Sequence, residues 1–184
     1  MKDKAHDLAD AGFTVLAPDL NDGVVASDAD HATQLLLDAD MNVTASLVQS
    51  SLRLLQAANA DSGAAVGVLG YSSGASWALW LSERFAAQCR VVVGFYGTQS
   101  ISFEKATASY LLHFAADDET VTDDEVALLG LNLQLARRDF RVEHHRGVNH
   151  GFAEAQHPNF DQPSEIIAWR QSLEFLASEL RPSP

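Results

Sequence analysis

The chain carries its most informative segment at Ala65-Val-Gly-Val-Leu-Gly-Tyr-Ser-Ser-Gly74. The first five residues are a short apolar run, which predicts a buried strand. Gly70-Tyr-Ser-Ser-Gly74 then fits the pattern G-x-S-x-G, and an apolar helix is predicted from about Ser73 to Ala87. Glycine and serine are common enough that the pattern alone is weak evidence. A strand before it and a helix after it are, however, the setting of a nucleophile elbow, the sharp turn that raises a reactive side chain above a sheet.

Ser72 occupies the centre of this turn and is the candidate nucleophile. An elbow residue sits in a strained conformation, so we expect side chains in place of Gly70 and Gly74 to clash across the turn. The backbone N–H of Ser73 would point at a developing oxyanion from the N-terminus of the helix. The alternative is structural, since Ser72 or Ser73 would also suit a helix cap. The strand–turn–helix setting favours the nucleophile.

Strands and helices are predicted to alternate along the rest of the chain. Continuous apolar strands separated by helices indicate an α/β fold with a mostly parallel sheet and helices on both faces. An acidic segment from Leu20 to Asp40 is predicted to be a loop whose helical content the pattern leaves open. Thr122 and Glu125 have the spacing of a capping box. The predicted strands cover 13–17, 65–69, 91–95, 109–114 and 140–144, and the predicted helices cover 2–10, 42–59, 73–87, 122–138 and 163–180.

A serine hydroxyl needs a base and an acid to react near neutral pH, and in this topology they follow in the order Ser, Asp, His. Asp118 comes just after the strand at 109–114, and His150 comes after the next strand. Both would stand at the carboxyl edge of the sheet, beside the elbow. His150 would take the proton from Ser72 while Asp118 holds its tautomer. Asp117 or Glu119 could take the place of Asp118.

Three further histidines and the lone cysteine suggest no metal site. His113 lies inside an apolar strand and is interpreted as a packed core residue. His144 and His145 are adjacent on a strand, so they point to opposite faces and make a poor metal pair. Cys89 has no partner for a disulfide and lacks fellow thiolate ligands for zinc.

Composition limits the class of protein and its partners. The 184 residues are 47% hydrophobic and carry a formal net charge of −13, which predicts a single domain over residues 1–184. A surface with this much negative charge repels phosphate backbones and anionic lipids. Neither nucleic acid nor a membrane is therefore expected as a partner. The N-terminus is too polar for a signal peptide and no apolar run could span a bilayer, so a cytoplasmic location is expected. The pattern leaves open whether copies of the chain form a homo-oligomer.

Four segments together resemble the dienelactone hydrolase family of α/β-hydrolases. They match its helix–strand entry, its elbow, its acid loop, and its histidine loop with the closing helix, in the right order over nearly the whole chain. The resemblance also selects Asp118 over Asp117 as the acid. The matching segments are Asp7–Leu20, Val66–Gly74, His113–Val121, and His150–Glu154 with Ala168-Trp-Arg and Phe175-Leu176.

The resemblance implies a hydrolase of small carboxylic esters or lactones that uses Ser72, Asp118 and His150 and needs neither metal nor organic cofactor. The family's usual nucleophile is cysteine, whereas this chain has serine. Members specific for dienelactone use arginines to hold a substrate carboxylate. Here no Lys or Arg occurs between Lys4 and Arg53, and that stretch contains eight Asp. An anionic lactone is therefore not the expected substrate.

The resemblance also implies a strand and a loop ahead of the first helix, and that loop supplies a second oxyanion donor in this fold. Because the chain opens at the helix, we expect the N-terminal strands to be missing and the natural start to lie upstream of Met1. The strands at 13–17 and 65–69 would then flank an empty position in the sheet, which would lower stability. A non-catalytic relative that only binds a small molecule or a partner is the alternative function.

Overall fold

A computed structural model of the protein describes residues 2–59 and 65–180. These residues fall into two compact units along the same division. The prediction of one domain over residues 1–184 stays a prediction. Within the described ranges, none of the helices is long and apolar enough to cross a membrane.

The first unit is helical. It contains α1 (Lys2–Asp10), α2 (Ala29–Asp38) and α3 (Met41–Ala58). The side chains of Asp28 and Asp40 cap α2 and α3 by accepting backbone N–H groups of their first turns. Part of the acidic segment Leu20–Asp40 is therefore helical.

The predicted strand at Phe13–Ala17 is wrong. These residues form no strand, and none of them is buried. A strand exists only where its N–H and C=O groups pair with those of a neighbouring strand. The described part of the first unit offers helices and no strand for such pairing.

The second unit alternates strands and helices around a four-stranded sheet. Each strand pairs in parallel with the next one, so that the order across the sheet is β1-β2-β3-β4. The carboxyl ends of all four strands consequently lie at one edge. The elements are β1 (Val66–Tyr71), α4 (Ser73–Arg84), β2 (Cys89–Phe95), β3 (Ser109–Ala115), α5 (Asp123–Leu135), β4 (Phe140–His145) and α6 (Gln162–Leu180).

Helices cover both faces of this sheet. Leu112 of β3 lies in a buried cluster with Leu79 of α4 and Leu129 of α5. The next residue of the same strand, His113, points to the opposite face, where its ring lies 3.2 Å from Ser172 of α6. The predicted α/β architecture with a parallel sheet is confirmed.

Predicted and observed elements of this unit agree closely. The four predicted strands are confirmed to within two residues at each end, and α4 and α5 end three residues earlier than predicted. Thr122 accepts the backbone N–H of Glu125, and the Glu125 side chain accepts the backbone N–H of Thr122. The capping box is confirmed.

Candidate active site

Ser72 lies in a sharp turn between the end of β1 and the start of α4. Its φ is +49°, a conformation that is uncommon for a residue with a side chain. The turn brings the chain so close to itself that a β-carbon on Gly70 would lie 2.2 Å from the carbonyl oxygen of Gly74. The N–H of Ser72 donates to the carbonyl oxygen of Phe95 at 2.9 Å. This bond fixes the turn to the end of β2.

The hydroxyl of Ser72 does not cap the helix that follows. Ser72 occupies the N-cap position of α4, yet its side chain makes no capping hydrogen bond. Its Oγ lies 3.1 Å from Nε2 of His150 instead. The geometry therefore favours a chemical role of this side chain over the capping role.

Only one of the two predicted glycine clashes exists. A β-carbon on Gly74 would meet nothing within 4 Å, so that expectation is wrong. The second close approach involves Gly97, whose β-carbon would lie 2.3 Å from the carbonyl oxygen of Ser72 and 2.7 Å from the β-carbon of Ala75. Sequence reasoning missed Gly97 because it approaches the elbow from another strand, two residues beyond the end of β2.

Asp118 is the carboxylate that the structure brings to the histidine. Its Oδ1 and Oδ2 lie 3.2 and 3.0 Å from Nδ1 of His150. Oδ1 also accepts the backbone N–H groups of Thr120 and Val121, and only 2% of the side chain is exposed. Asp117 and Glu119 are exposed on either side of it. Among the three carboxylates that the sequence left open, Asp118 is the one in contact with His150.

His150 lies in the loop between β4 and α6, and two asparagines hold its backbone. The Oδ1 of Asn149 accepts the N–H of His150 at 2.8 Å and the N–H of Glu119, in the acid loop, at 3.3 Å. Nδ2 of Asn159 donates to the carbonyl oxygen of His150 at 2.9 Å. Neither asparagine was singled out from the sequence, since no motif marks a residue that joins two loops.

The three side chains form one continuous chain of hydrogen bonds. An ionised carboxylate only accepts, so Asp118 requires a proton on Nδ1 of His150. The neutral ring then presents the lone pair of Nε2 to the hydroxyl of Ser72. Only 15% of the His150 side chain is exposed. The arrangement can remove the proton from the hydroxyl and hold the resulting imidazolium.

Ser73 is the first residue of α4. The first N–H groups of a helix have no intrahelical acceptor and lie at the positive end of its dipole. The backbone N–H of Ser73 therefore lies where an anion next to Ser72 would be stabilised.

The three histidines on β3 and β4 take no part in the hydrogen bonds that join Ser72, His150 and Asp118. His113 is fully buried, with Nδ1 at 3.0 Å from Nε2 of His145 and Nε2 at 3.2 Å from Ser172. Burial lowers the pKa of His113 from its ordinary value of 6.5 to about 3, and the neighbouring His145 adds to the effect. The prediction of a core histidine is confirmed. His144 is exposed and points away from His145, as predicted for neighbours on a strand.

Across 2–59 and 65–180, no three His, Cys, Asp or Glu side chains converge in a way that could hold an ion. Cys89 is buried, and burial raises the pKa of its thiol to about 12.

Comparison with known proteins gives the family. The sequence profile of the dienelactone hydrolase family matches residues 1–180. Carboxymethylenebutenolidase 1 from Cupriavidus pinatubonensis (strain JMP 134) is 30% identical over 193 residues, a match that covers 96% of this chain and 79% of the relative.

Solved structures share the fold. A dienelactone hydrolase-like promiscuous phosphotriesterase from metagenomic libraries has a TM-score of 0.83 at 22% identity, covering 98% of this chain and 80% of that one. An α/β-hydrolase from a Medee basin deep-sea metagenome library has a TM-score of 0.64 at 13% identity, covering 76% of this chain and 66% of that one. The profile and the curated relative show that the chain belongs to the dienelactone hydrolase family and is a carboxylic-ester hydrolase.

Proposed function

We propose that the protein cleaves small carboxylic esters or lactones through an acyl-serine intermediate. Ser72 is the nucleophile, His150 the general base and acid, and Asp118 the carboxylate that orients the imidazole. The backbone N–H of Ser73 is a donor to the oxyanion. No metal or organic cofactor takes part in the proposed steps.

Acylation begins when Nε2 of His150 accepts the proton of Ser72. Oγ forms a bond to the carbonyl carbon of the substrate, and the carbonyl π electrons move to its oxygen, which the N–H of Ser73 stabilises. The tetrahedral species collapses as the bond to the leaving oxygen breaks. That oxygen takes the proton from the imidazolium and departs as an alcohol.

Deacylation repeats these steps with water. His150 accepts a proton from a water molecule while the oxygen of that water forms a bond to the acyl carbon. The bond to Oγ then breaks, Ser72 regains a proton from His150, and a carboxylic acid leaves. Asp118 accepts the Nδ1–H of His150 throughout and stabilises its charged form.

The observation that supports the proposal most strongly is the unbroken contact from Ser72 to Asp118. Oγ to Nε2 is 3.1 Å and Nδ1 to Oδ2 is 3.0 Å, both within the reach that proton transfer requires. The strained backbone of Ser72 adds support, because such conformations cluster at reactive residues.

Turnover of p-nitrophenyl acetate by three proteins tests the proposal. Replacing Ser72→Ala should lower kcat by about a thousandfold or more, since the attacking group is lost. Replacing Ser73→Ala should retain most turnover, because the variant keeps the backbone N–H. A folded Ser72→Ala protein with the kcat of the original chain would refute the proposal, and absence of turnover in the original chain would favour the binding-only alternative.

A further inference from the structure

Tyr96 is a buried residue at the edge of the site that the proposed steps do not use. It directly follows β2, and its side chain is fully buried. Its φ is +38°, which is strained for an aromatic residue. Such a conformation persists only where the surroundings hold it in place.

The surroundings of Tyr96 join it to both halves of the site. Its backbone N–H donates to the carbonyl oxygen of His113 at 2.7 Å, and the preceding carbonyl, that of Phe95, accepts the N–H of Ser72. The ring of Tyr96 lies against the imidazole of His150, with 4.7 Å between the ring centroids. Two consecutive residues at the end of β2 thus contact the elbow and the histidine.

The hydroxyl of Tyr96 reaches the loop that carries the histidine. It donates to Oε1 of Glu154 at 2.9 Å. Glu154 lies four residues after His150, and its own N–H donates to the carbonyl oxygen of Gly151. The hydrogen bond between Tyr96 and Glu154 therefore links the end of β2 to the turn next to His150.

A hydrogen bond at Nδ1 alone leaves the imidazole free to swing about that contact. A swing would carry Nε2 away from Oγ of Ser72. The ring of Tyr96 occupies the space beside the imidazole, and the bond to Glu154 holds this ring where it is. We propose that Tyr96 and Glu154 are positioning residues that keep Nε2 of His150 at bonding distance from Ser72.

This role rests on the proposed function, since it concerns the same reaction. The Tyr96 hydroxyl acts as a donor and not as an acid or base. Burial raises the pKa of Tyr96 far above its ordinary value, and the carboxylate of Glu154 raises it further. The proton therefore stays on the tyrosine at any pH at which the enzyme would work.

Steady-state kinetics of Tyr96→Phe, Glu154→Ala, Glu154→Gln and the double variant Tyr96→Phe/Glu154→Ala test the role. Tyr96→Phe should lower kcat roughly ten- to a hundredfold, because a misplaced base loses proton-transfer geometry. KM should change by less than about twofold, since uniform binding is not altered. Glu154→Gln should lie closer to the original kcat than Glu154→Ala, because an amide oxygen still accepts the bond. The double variant should be no slower than the slower of the two single variants, since both substitutions remove the same hydrogen bond.

Tyr110→Phe is the matched control. Tyr110 is another fully buried tyrosine, on β3, and its hydroxyl lies 2.8 Å from that of Ser82. This variant should lower the melting temperature like Tyr96→Phe and leave kcat unchanged. Glu154 is half-buried in a loop, so Glu154→Ala gives a folded test even where Tyr96→Phe folds poorly.

The role is overturned if Tyr96→Phe and Glu154→Ala both keep kcat within about twofold of the original protein. It is also overturned if their losses add in the double variant, or if Tyr110→Phe loses as much turnover. Ser72→Ala measured in the same series separates the two proposals. Turnover that survives in Ser72→Ala would refute the proposed function. If Ser72→Ala loses turnover while Tyr96→Phe stays fully active, the positioning role alone is refuted.

Discussion

A histidine can act as a general base only when the nitrogen that faces the nucleophile carries no proton. At this site the carboxylate of Asp118 contacts the other nitrogen, Nδ1 of His150, and in the proposed mechanism it keeps the proton there. Two backbone N–H groups hold the carboxylate in turn. In the proposed mechanism, the reactivity of the Ser72 hydroxyl thus depends on a side chain that does not touch it.

Replacing Asp118→Asn should lower kcat on p-nitrophenyl acetate by about 10³- to 10⁴-fold, because an amide at this position favours the wrong tautomer of His150. Asp117→Asn and Glu119→Gln are the controls, since both side chains are exposed. Circular dichroism shows whether each variant is folded. Equal losses in all three folded variants would show that the acid loop contributes charge and not the orientation of one ring.

The sequence identified individual residues where a local pattern surrounds them. Ser72 stands between a predicted strand and a predicted helix, and Asp118 and His150 each follow a predicted strand. Gly97 and Tyr96 were not predicted as site residues, because their contacts with the elbow and the histidine come from the segment after β2, distant in the sequence. Such contacts leave no periodicity or spacing in the sequence.

Among the elements, β3, β4 and α6 meet at a contact between buried His113 and half-buried His145. The hydroxyl of Ser172 donates to the carbonyl oxygen of Ala168 and so accepts from His113, which accepts from His145 in turn. The pKa of His113 is lowered to about 3 by burial, and burial lowers the pKa of His145 as well. The His113 ring is therefore neutral in the folded protein at mildly acidic pH.

Stability should fall as the pH is lowered from 6.5 towards 3, because the unfolded chain takes up a proton that the folded His113 refuses. This one group would lower the free energy of unfolding by about 1.4 kcal/mol for each pH unit in that window. Urea denaturation at several pH values measures the slope. His113→Leu should reduce it, and His144→Leu, an exposed neighbour on β4, should not. An unchanged slope in His113→Leu would contradict the assignment.

The elbow also depends on the fit between β2 and α4. Gly97→Ala should destabilise the protein by about 1–3 kcal/mol and lower turnover, since its β-carbon overlaps the carbonyl oxygen of Ser72. Gly74→Ala should keep or raise the melting temperature, because its β-carbon meets open space in a helix. Thermal melting compares the two. Equal destabilisation by both substitutions would contradict the packing of the turn that the structure shows around Gly97 and Gly74.

Sequence patterns predicted the elements of the second unit well because its strands are continuous apolar runs between clear turns. The same reasoning failed at Phe13–Ala17, which is also a short apolar run. What separates the two cases is the presence of a pairing strand, and that depends on residues far along the chain. An apolar run alone does not show whether a neighbouring strand is present to pair with it.

At the scale of the whole molecule, the net charge of −13 acts on any charged substrate that approaches. The value of kcat/KM for mono-p-nitrophenyl succinate should be lower than for p-nitrophenyl butyrate, which has a similar chain and no carboxylate. Added NaCl should reduce the difference, since salt screens the repulsion. A higher kcat/KM for the carboxylated ester at low salt would reveal a local cationic site that outweighs the net charge.

In the proposed mechanism, Ser72 is the group that attacks the substrate. A fluorophosphonate probe reports this most directly, because it forms a covalent bond to an activated serine, and peptide mapping locates the adduct. We expect a single adduct on the peptide that contains Ser72, slower labelling in His150→Ala, and none in Ser72→Ala. An adduct confined to Ser73, or one that persists in folded Ser72→Ala, would rule out Ser72 as the nucleophile.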